Sequence, residues 1–154
     1  MIIDTSKLSD EGKRFVGEEP QGVLDLGADS DVRPVGPIKY DLFLSVVGDN
    51  LIAAGSLSVD CEFACIRCAE MFPLTVSEPR FQAVVGVLNK SESVDLTPDM
   101  RESIILAFPT SPLCAADCRG LCVRCGTNLN KSTCRCVQSP AGGKWNVLND
   151  LQLG

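Results

Sequence analysis

Residues 114–136 read Cys114-Ala-Ala-Asp-Cys118-Arg-Gly-Leu-Cys122-Val-Arg-Cys125-Gly126-Thr-Asn-Leu-Asn-Lys-Ser-Thr-Cys134-Arg-Cys136 and hold six of the chain's nine cysteines. Little else in this stretch can form an apolar core, so its order has to come from the sulfurs. The densest part, Cys122-x-x-Cys125-Gly126 followed by Cys134-x-Cys136, is close to a zinc ribbon. Zinc held by four sulfurs at about 2.3 Å requires neighbouring sulfurs about 3.8 Å apart, so each half of a site must turn two side chains toward one point. A tight turn does this in Cys122–Gly126, where the glycine can take positive φ. In Cys134-Arg-Cys136 alternate residues of an extended strand share a face. The polar run between them, with two asparagines, suits a connecting loop.

Outward from this stretch, the other cysteines fall at 61, 65 and 68. If Cys122, Cys125, Cys134 and Cys136 form one site, Cys65 and Cys68 need partners. Cys114 and Cys118, four apart on one helical turn, can supply them. This leaves Cys61 as a free thiol or an ordinary buried residue. Cys118 and Cys122 are also four apart, so Cys118 could instead serve the ribbon. The expectation is two structural zinc sites. The chain has no histidine, which argues against a catalytic zinc with mixed ligands and an open position.

A chain of 154 residues is long enough for one domain with a real core plus a small module. No apolar run is long enough to span a bilayer, and the start, MIIDTSKLSDEGKR, has neither a basic leader nor an apolar signal core. The expected location is the cytoplasm. In a reducing compartment an odd number of cysteines speaks for metal rather than disulfides. Residues 1–113 carry 9 Lys and Arg against 18 Asp and Glu, a net of −9, whereas residues 114–154 carry 5 against 2, a net of +3. The acidic part cannot hold nucleic acid by bulk attraction. Arg119, Arg124, Lys131, Arg135 and Lys144 are the clustered cations that could meet phosphate, or they simply offset the charge of the thiolates.

The remaining elements read as follows. Residues 1–5 suggest a short strand, and Leu8–Val16 is ambiguous, with Ser9 a possible helix cap. Gly22–Leu26 reads as a strand, and Gly27–Pro37 as a flexible loop. Ile38–Val47, the turn Gly48-Asp49-Asn50 and Leu51–Val59 read as a hairpin. Phe72–Val87 is a further strand pattern, broken by Pro79. Cys65-Ile-Arg-Cys68 then falls at a hairpin tip, with Ala69 where glycine is more usual. Thr97-Pro98-Asp99 starts a helix over 98–108, whose stripe Met100, Ile104, Ala107 and Phe108 faces a sheet. Trp145, Leu148 and Leu151 suggest a short terminal helix after a Pro-Ala-Gly-Gly linker. The fold class expected is α+β: a mostly antiparallel β domain over 1–113 with one packed helix, a cysteine-rich zinc module over 114–138, and a linker with terminal helix over 139–154.

The order Cys65-Ile-Arg-Cys68, Asp95-Leu96, Ile104-Ile-Leu-Ala-Phe108-Pro109, Pro112-Leu-Cys114, Cys118-Arg-Gly-Leu-Cys122-Val-Arg-Cys125-Gly126-Thr-Asn128-Leu-Asn130 and Cys134-x-Cys136 closely resembles the YceD family of bacterial proteins. These are described as large ribosomal RNA subunit accumulation proteins. The likeness covers most of residues 20–154 and is most specific over 61–136; Ala69 departs from the family's glycine. It implies a non-enzymatic role in accumulation of 23S rRNA or large-subunit assembly, with ribosomal RNA, ribosomal proteins or assembly intermediates as partners. Neither a membrane nor a small-molecule substrate is expected.

Competing classes leave different marks. A thiol oxidoreductase places its reactive Cys-x-x-Cys at a helix N-terminus, whereas Cys65 follows a strand. A redox-responsive zinc protein would keep the same ligands and release metal on oxidation. A transcription-type ribbon would bind duplex DNA. No phosphate-cradling glycine loop or paired nucleophile and base is present, which speaks against an enzyme.

Overall fold

The computed structural model describes residues 1–8, 11–27, 30–87 and 93–136. Its central unit is a five-stranded antiparallel sheet. Strand β4 (Ile38–Val47) pairs with β5 (Asn50–Ala64) across a two-residue turn in which Gly48 takes φ 60°, the backbone sign a tight hairpin demands. Strand β5 extends well past Val59 and carries a continuous buried phase through Leu51, Ala53, Leu57, Val59, Cys61 and Phe63. On its other edge lies β6 (Met71–Gly86).

Strand β6 is one strand rather than two fragments separated by Pro79. Leu57 pairs with Glu78 and Gly55 with Phe81, so Pro79 and Arg80 together face the single residue Ser56. This bulge moves the inward phase from Val76 to Phe81 and Ala83, which is why the apolar alternation looks interrupted in the sequence. A bulge is also where a strand can carry a proline without losing a ladder bond.

The N-terminal third departs from expectation. Strand β1 (Ile2–Asp4) pairs with β7 (Ser93–Asp95), and the ambiguous stretch after it holds β2 (Lys13–Glu19), an edge strand against β4. Ser9 lies outside the described residues. Gly22–Leu26 is not a strand: Gln21–Leu24 forms a 3-10 turn that buries Leu24. The stretch expected as a loop over 27–37 contains β3 (Val32–Pro34), which pairs with the far end of β5.

Helix α1 (Thr97–Leu106) lies over the sheet with Met100 and Ile104 fully buried. The Thr97 hydroxyl is not its cap, because it accepts a hydrogen bond from the Met1 amino group, while Asp95 Oδ1 accepts from the Thr97 N–H at 2.9 Å. The helix ends before Ala107 and Phe108, and the Phe108 ring meets Phe63 edge-on at 5.4 Å. The chain then leaves the sheet and enters the cysteine-rich segment. Trp145, Leu148, Leu151 and Lys144 lie outside the described residues. No helix among the described residues is long and apolar enough to cross a membrane.

Candidate metal centres

Two turns of the same construction present four of the thiols. In the first, the Ala69 N–H donates to the Cys65 carbonyl at 2.8 Å; in the second, the Gly126 N–H donates to the Cys122 carbonyl at 2.9 Å. The fifth residue of each is left-handed, with φ 57° at Ala69 and 70° at Gly126. The first turn joins β5 to β6, so the two longest strands of the sheet aim Cys65 and Cys68 off its end. Segment 112–121 closes on it: the Ile66 N–H donates to the Pro112 carbonyl at 3.0 Å and the Leu121 N–H to the Arg67 carbonyl at 3.0 Å.

The result is two sets of four sulfurs. Within Cys65, Cys68, Cys114 and Cys118, and again within Cys122, Cys125, Cys134 and Cys136, all sulfurs lie within 4.8 Å of one another. In the first set Cys65 Sγ stands 3.8 Å from Cys118 Sγ, and Cys68 Sγ 3.7 Å from Cys114 Sγ. Those separations are far beyond the roughly 2 Å of a disulfide and match the edge of a four-sulfur tetrahedron. Cys61 joins neither set. It sits fully buried on the inner face of β5, and burial pushes its thiol up to about 11.

The chemistry of the donors fits a cation. N–H groups of Cys114, and then of Arg67 and Cys68, draw the Cys65 thiol down to about 6, against the burial that opposes ionisation. The N–H groups of Arg124 and Cys125 do the same for Cys122, also to about 6. The Thr127 hydroxyl, 3.1 Å from Cys125 Sγ, lowers that thiol. Other thiols are driven the other way: Cys68 and Cys114 in the first set, Cys136 in the second. Cys114 is pushed up to about 12 by desolvation and by its sulfur neighbours, and Cys136 to about 12, first by Cys125. The backbone thus favours some thiolates in each set, and burial together with the repulsion of those thiolates holds back Cys114 and Cys136. A divalent cation relieves that repulsion, so both sets could hold a metal ion.

The two sets differ in surroundings. Cys65, Cys68 and Cys118 are buried, with Phe72 and Leu113 packed against them, and Cys114 is exposed. In the second set Cys122, Cys134 and Cys136 are half-buried and Cys125 is exposed.

The four basic residues singled out in the sequence, Arg119, Arg124, Lys131 and Arg135, are all exposed around these sets. Lys131 is engaged by Glu70, Nζ to Oε1 at 2.7 Å. Arg119 and Lys131 line a groove of about 480 Å³ beside the first set, together with Cys114 and Asn128. Arg67 is a further cation here that sequence reading passes over, because it stands alone within the acidic part of the chain. It donates from Nη1 to the Cys118 carbonyl at 3.0 Å. Ile66, Leu121 and Val123 are exposed near these arginines, Val123 at 99%.

The sequence model of the family described as "Large ribosomal RNA subunit accumulation protein YceD" matches residues 78–152. An uncharacterized protein of Mycobacterium leprae is 28% identical over 109 residues, covering 60% of this chain and 49% of the relative. One from Mycobacterium tuberculosis H37Rv is 27% identical over 111 residues, covering 60% of this chain and 51% of the relative. The chloroplastic YCED homolog 1 of Arabidopsis thaliana, described as a large ribosomal RNA subunit accumulation protein, is 28% identical over 61 residues, covering 40% of this chain and 19% of that protein. The chain therefore spans about half the length of its mycobacterial relatives and a smaller share of the plant protein. No solved structure matches it. The matched span begins at Glu78 within β6 and takes in α1 and the cysteine-rich segment, so it is this part of the chain that is similar to the YceD family.

Proposed function

We propose that this chain supports accumulation of the large-subunit ribosomal RNA as a non-enzymatic assembly factor in the cytoplasm. Two structural zinc ions, one held by Cys65, Cys68, Cys114 and Cys118 and one by Cys122, Cys125, Cys134 and Cys136, keep its cysteine-rich end in shape. The observation that carries this reading is the family match over the span that holds the second sulfur set and half of the first. Zinc supplies charge neutralisation of the thiolates and a closed cross-link; the chain's own residues make the contacts. Arg119, Arg124, Lys131 and Arg135 meet RNA phosphate around the two sets, while the acidic remainder of the chain is suited to a basic ribosomal protein.

The test is the ratio of large- to small-subunit ribosomal RNA in cells lacking the protein, rescued by wild type or by Cys122→Ser. A lowered ratio restored only by wild type is expected; an unchanged ratio under normal and cold growth overturns the assignment. Changing Arg124 and Arg135 together to Ala should weaken RNA binding and flatten its salt dependence by about two units of slope at most. An unaltered affinity and slope would remove those two residues from the contact surface.

A second reading is favoured by the exposure of Cys114 and Cys125, one sulfur in each set. Peroxide can oxidise two thiolates of a set to a disulfide, being itself reduced to water, with loss of the metal. Zinc release under mild peroxide, reversed by thiol reductant, would mark a redox-responsive protein.

A further inference from the structure

The loop that closes the second sulfur set is built onto the first. Asn130 lies between Cys125 and Cys134, yet its Nδ2 donates to Cys118 Sγ of the other set at 3.2 Å. Its Oδ1 accepts from the Arg119 N–H at 2.7 Å, and its own N–H and Nδ2 both donate to Asn128 Oδ1, at 2.9 and 3.0 Å. Every polar group of that side chain is thus committed to holding one loop against one sulfur. Glu70, which follows the left-handed Ala69 of the first turn, accepts from Lys131 at 2.7 Å and from Asn128 Nδ2 at 3.3 Å. On the backbone, the Leu129 N–H donates to the Gly120 carbonyl at 2.9 Å. Gly120 has φ 73°, and a Cβ there would come within 3.0 Å of the Arg67 carbonyl oxygen. Only glycine lets the chain pass this close to the first turn.

These contacts join segments that are ordered by different sets. Closing the first set fixes residues 65–70 and, with the Leu121 N–H on the Arg67 carbonyl, 114–121, and so fixes the acceptors Glu70, Gly120 and Cys118 that loop 126–133 needs. Closing the second set fixes that loop, and so delivers the Asn130 amide to the Cys118 sulfur. Each closure carries an ordering cost, and whichever set closes first lowers the cost for the other.

We propose, resting on the zinc reading above, that the two four-sulfur sets load as one cooperative unit, coupled through Asn130 and Glu70. The coupling is reciprocal: each set raises the affinity of the other by the same factor. Asn130 is a positioning residue in both directions, since it holds a sulfur of one set from within the loop of the other.

The experiment is a zinc titration of the full chain, stripped by chelator under reducing conditions and read by native mass spectrometry against a competing chelator. Wild type is compared with two single-set forms, Cys68→Ser with Cys114→Ser and Cys134→Ser with Cys136→Ser, and all three are repeated with Asn130→Ala. Circular dichroism verifies that the sheet persists in each. Two independent sets make the product of the two wild-type binding constants equal to the product of the two single-set constants. The expected result is an excess of about tenfold or more, the usual size of coupling between sites, falling toward one when Asn130→Ala is present in every form. A merely structural asparagine would lower the single-set constants and leave the excess in place. Equal products in wild type overturn the coupling, and an excess untouched by Asn130→Ala overturns its route through Asn130, in both cases leaving both zinc sites standing. No zinc bound by any form would instead overturn the metal reading beneath it.

Discussion

Ala69 and Gly126 occupy the same place in two turns of the same construction, and only one of them is the residue that the backbone prefers. At φ 57° a side chain brings Cβ against the backbone, at a cost of about 1 kcal/mol or somewhat more. Ala69→Gly removes that strain and loses part of the gain to the freer unfolded chain, so a net stabilisation of up to about 1 kcal/mol is expected. Gly126→Ala should destabilise its turn by about 1 kcal/mol, because a Cβ there meets nothing within 4 Å and the backbone alone decides. Thermal melts of the metal-loaded protein check both; shifts of the same sign would mean that some other contact sets these turns. The thiols give a second prediction at this scale. Without metal, Cys114 and Cys136, each pushed up to about 12, are protonated at neutral pH, whereas Cys65 and Cys122, near 6, are largely thiolate. Metal binding must therefore expel at least one proton from each set, and affinity must rise with pH by about tenfold per unit for every proton expelled. Below about 6 the slope steepens, because Cys65 and Cys122 then carry protons too. Zinc affinities measured between about pH 6.5 and 8 check this, and a flat profile contradicts it. That the cysteines belonged together was legible from their spacing. Asn130 was not, since asparagine in a polar loop reads only as a turn former and nothing local points to a sulfur twelve residues away.

Among the elements, the crossing of β4 and β5 is the tightest. A Cβ at Gly55 would lie 2.1 Å from the Asp41 carbonyl oxygen and 2.9 Å from the Leu42 Cα, both backbone atoms that cannot yield. Gly55→Ala should therefore cost about 2–4 kcal/mol, at or above the upper end for forced overpacking. Ile104→Ala, which empties a fully buried site beneath α1, should cost a similar amount through its cavity. Urea denaturation measures both, and a loss below 1 kcal/mol at Gly55 would show that the two strands can separate freely there. The β4–β5 hairpin was legible because its alternation is long and its turn carries glycine. Strand β2 was not, since the edge strand Lys13-Arg-Phe-Val-Gly-Glu-Glu19 leaves Val16 at 71% exposure, and of its half-buried face, Phe15, Gly17 and Glu19, only Phe15 is a large apolar residue. The Gly22–Leu26 stretch misled in the opposite sense. Its apolar residues are recruited by a 3-10 turn, whose Leu24 carbonyl accepts from Arg101 Nε at 2.8 Å on the distant helix, and no local pattern encodes such a contact. Pro79 likewise read as a break because period-two analysis has no place for an inserted residue.

At the scale of the whole molecule, two kinds of cohesion meet at the end of the β5–β6 hairpin. The sheet and α1 share one apolar core, which includes Cys61, while Cys65, Cys68 and Cys118 form a separate buried cluster with only Phe72 and Leu113 against it. Phe72 packs on both, but the second cluster has too little apolar surface to stand by itself. Structural zinc contributes on the order of 10 kcal/mol in modules of this kind, whereas burial of two half-exposed apolar side chains contributes about 2–4 kcal/mol at most. Stripping the metal should therefore open segment 112–136 and leave the sheet folded. Thiol alkylation followed by mass spectrometry reads this directly. In the loaded protein all eight clustered cysteines resist labelling. After chelation those eight label together, and Cys61, buried and with its thiol held up to about 11, stays protected until denaturant melts the sheet. Labelling of Cys61 in step with the others would mean that the sheet cannot survive alone, and that the sulfur sets stabilise the entire fold rather than its cysteine-rich end.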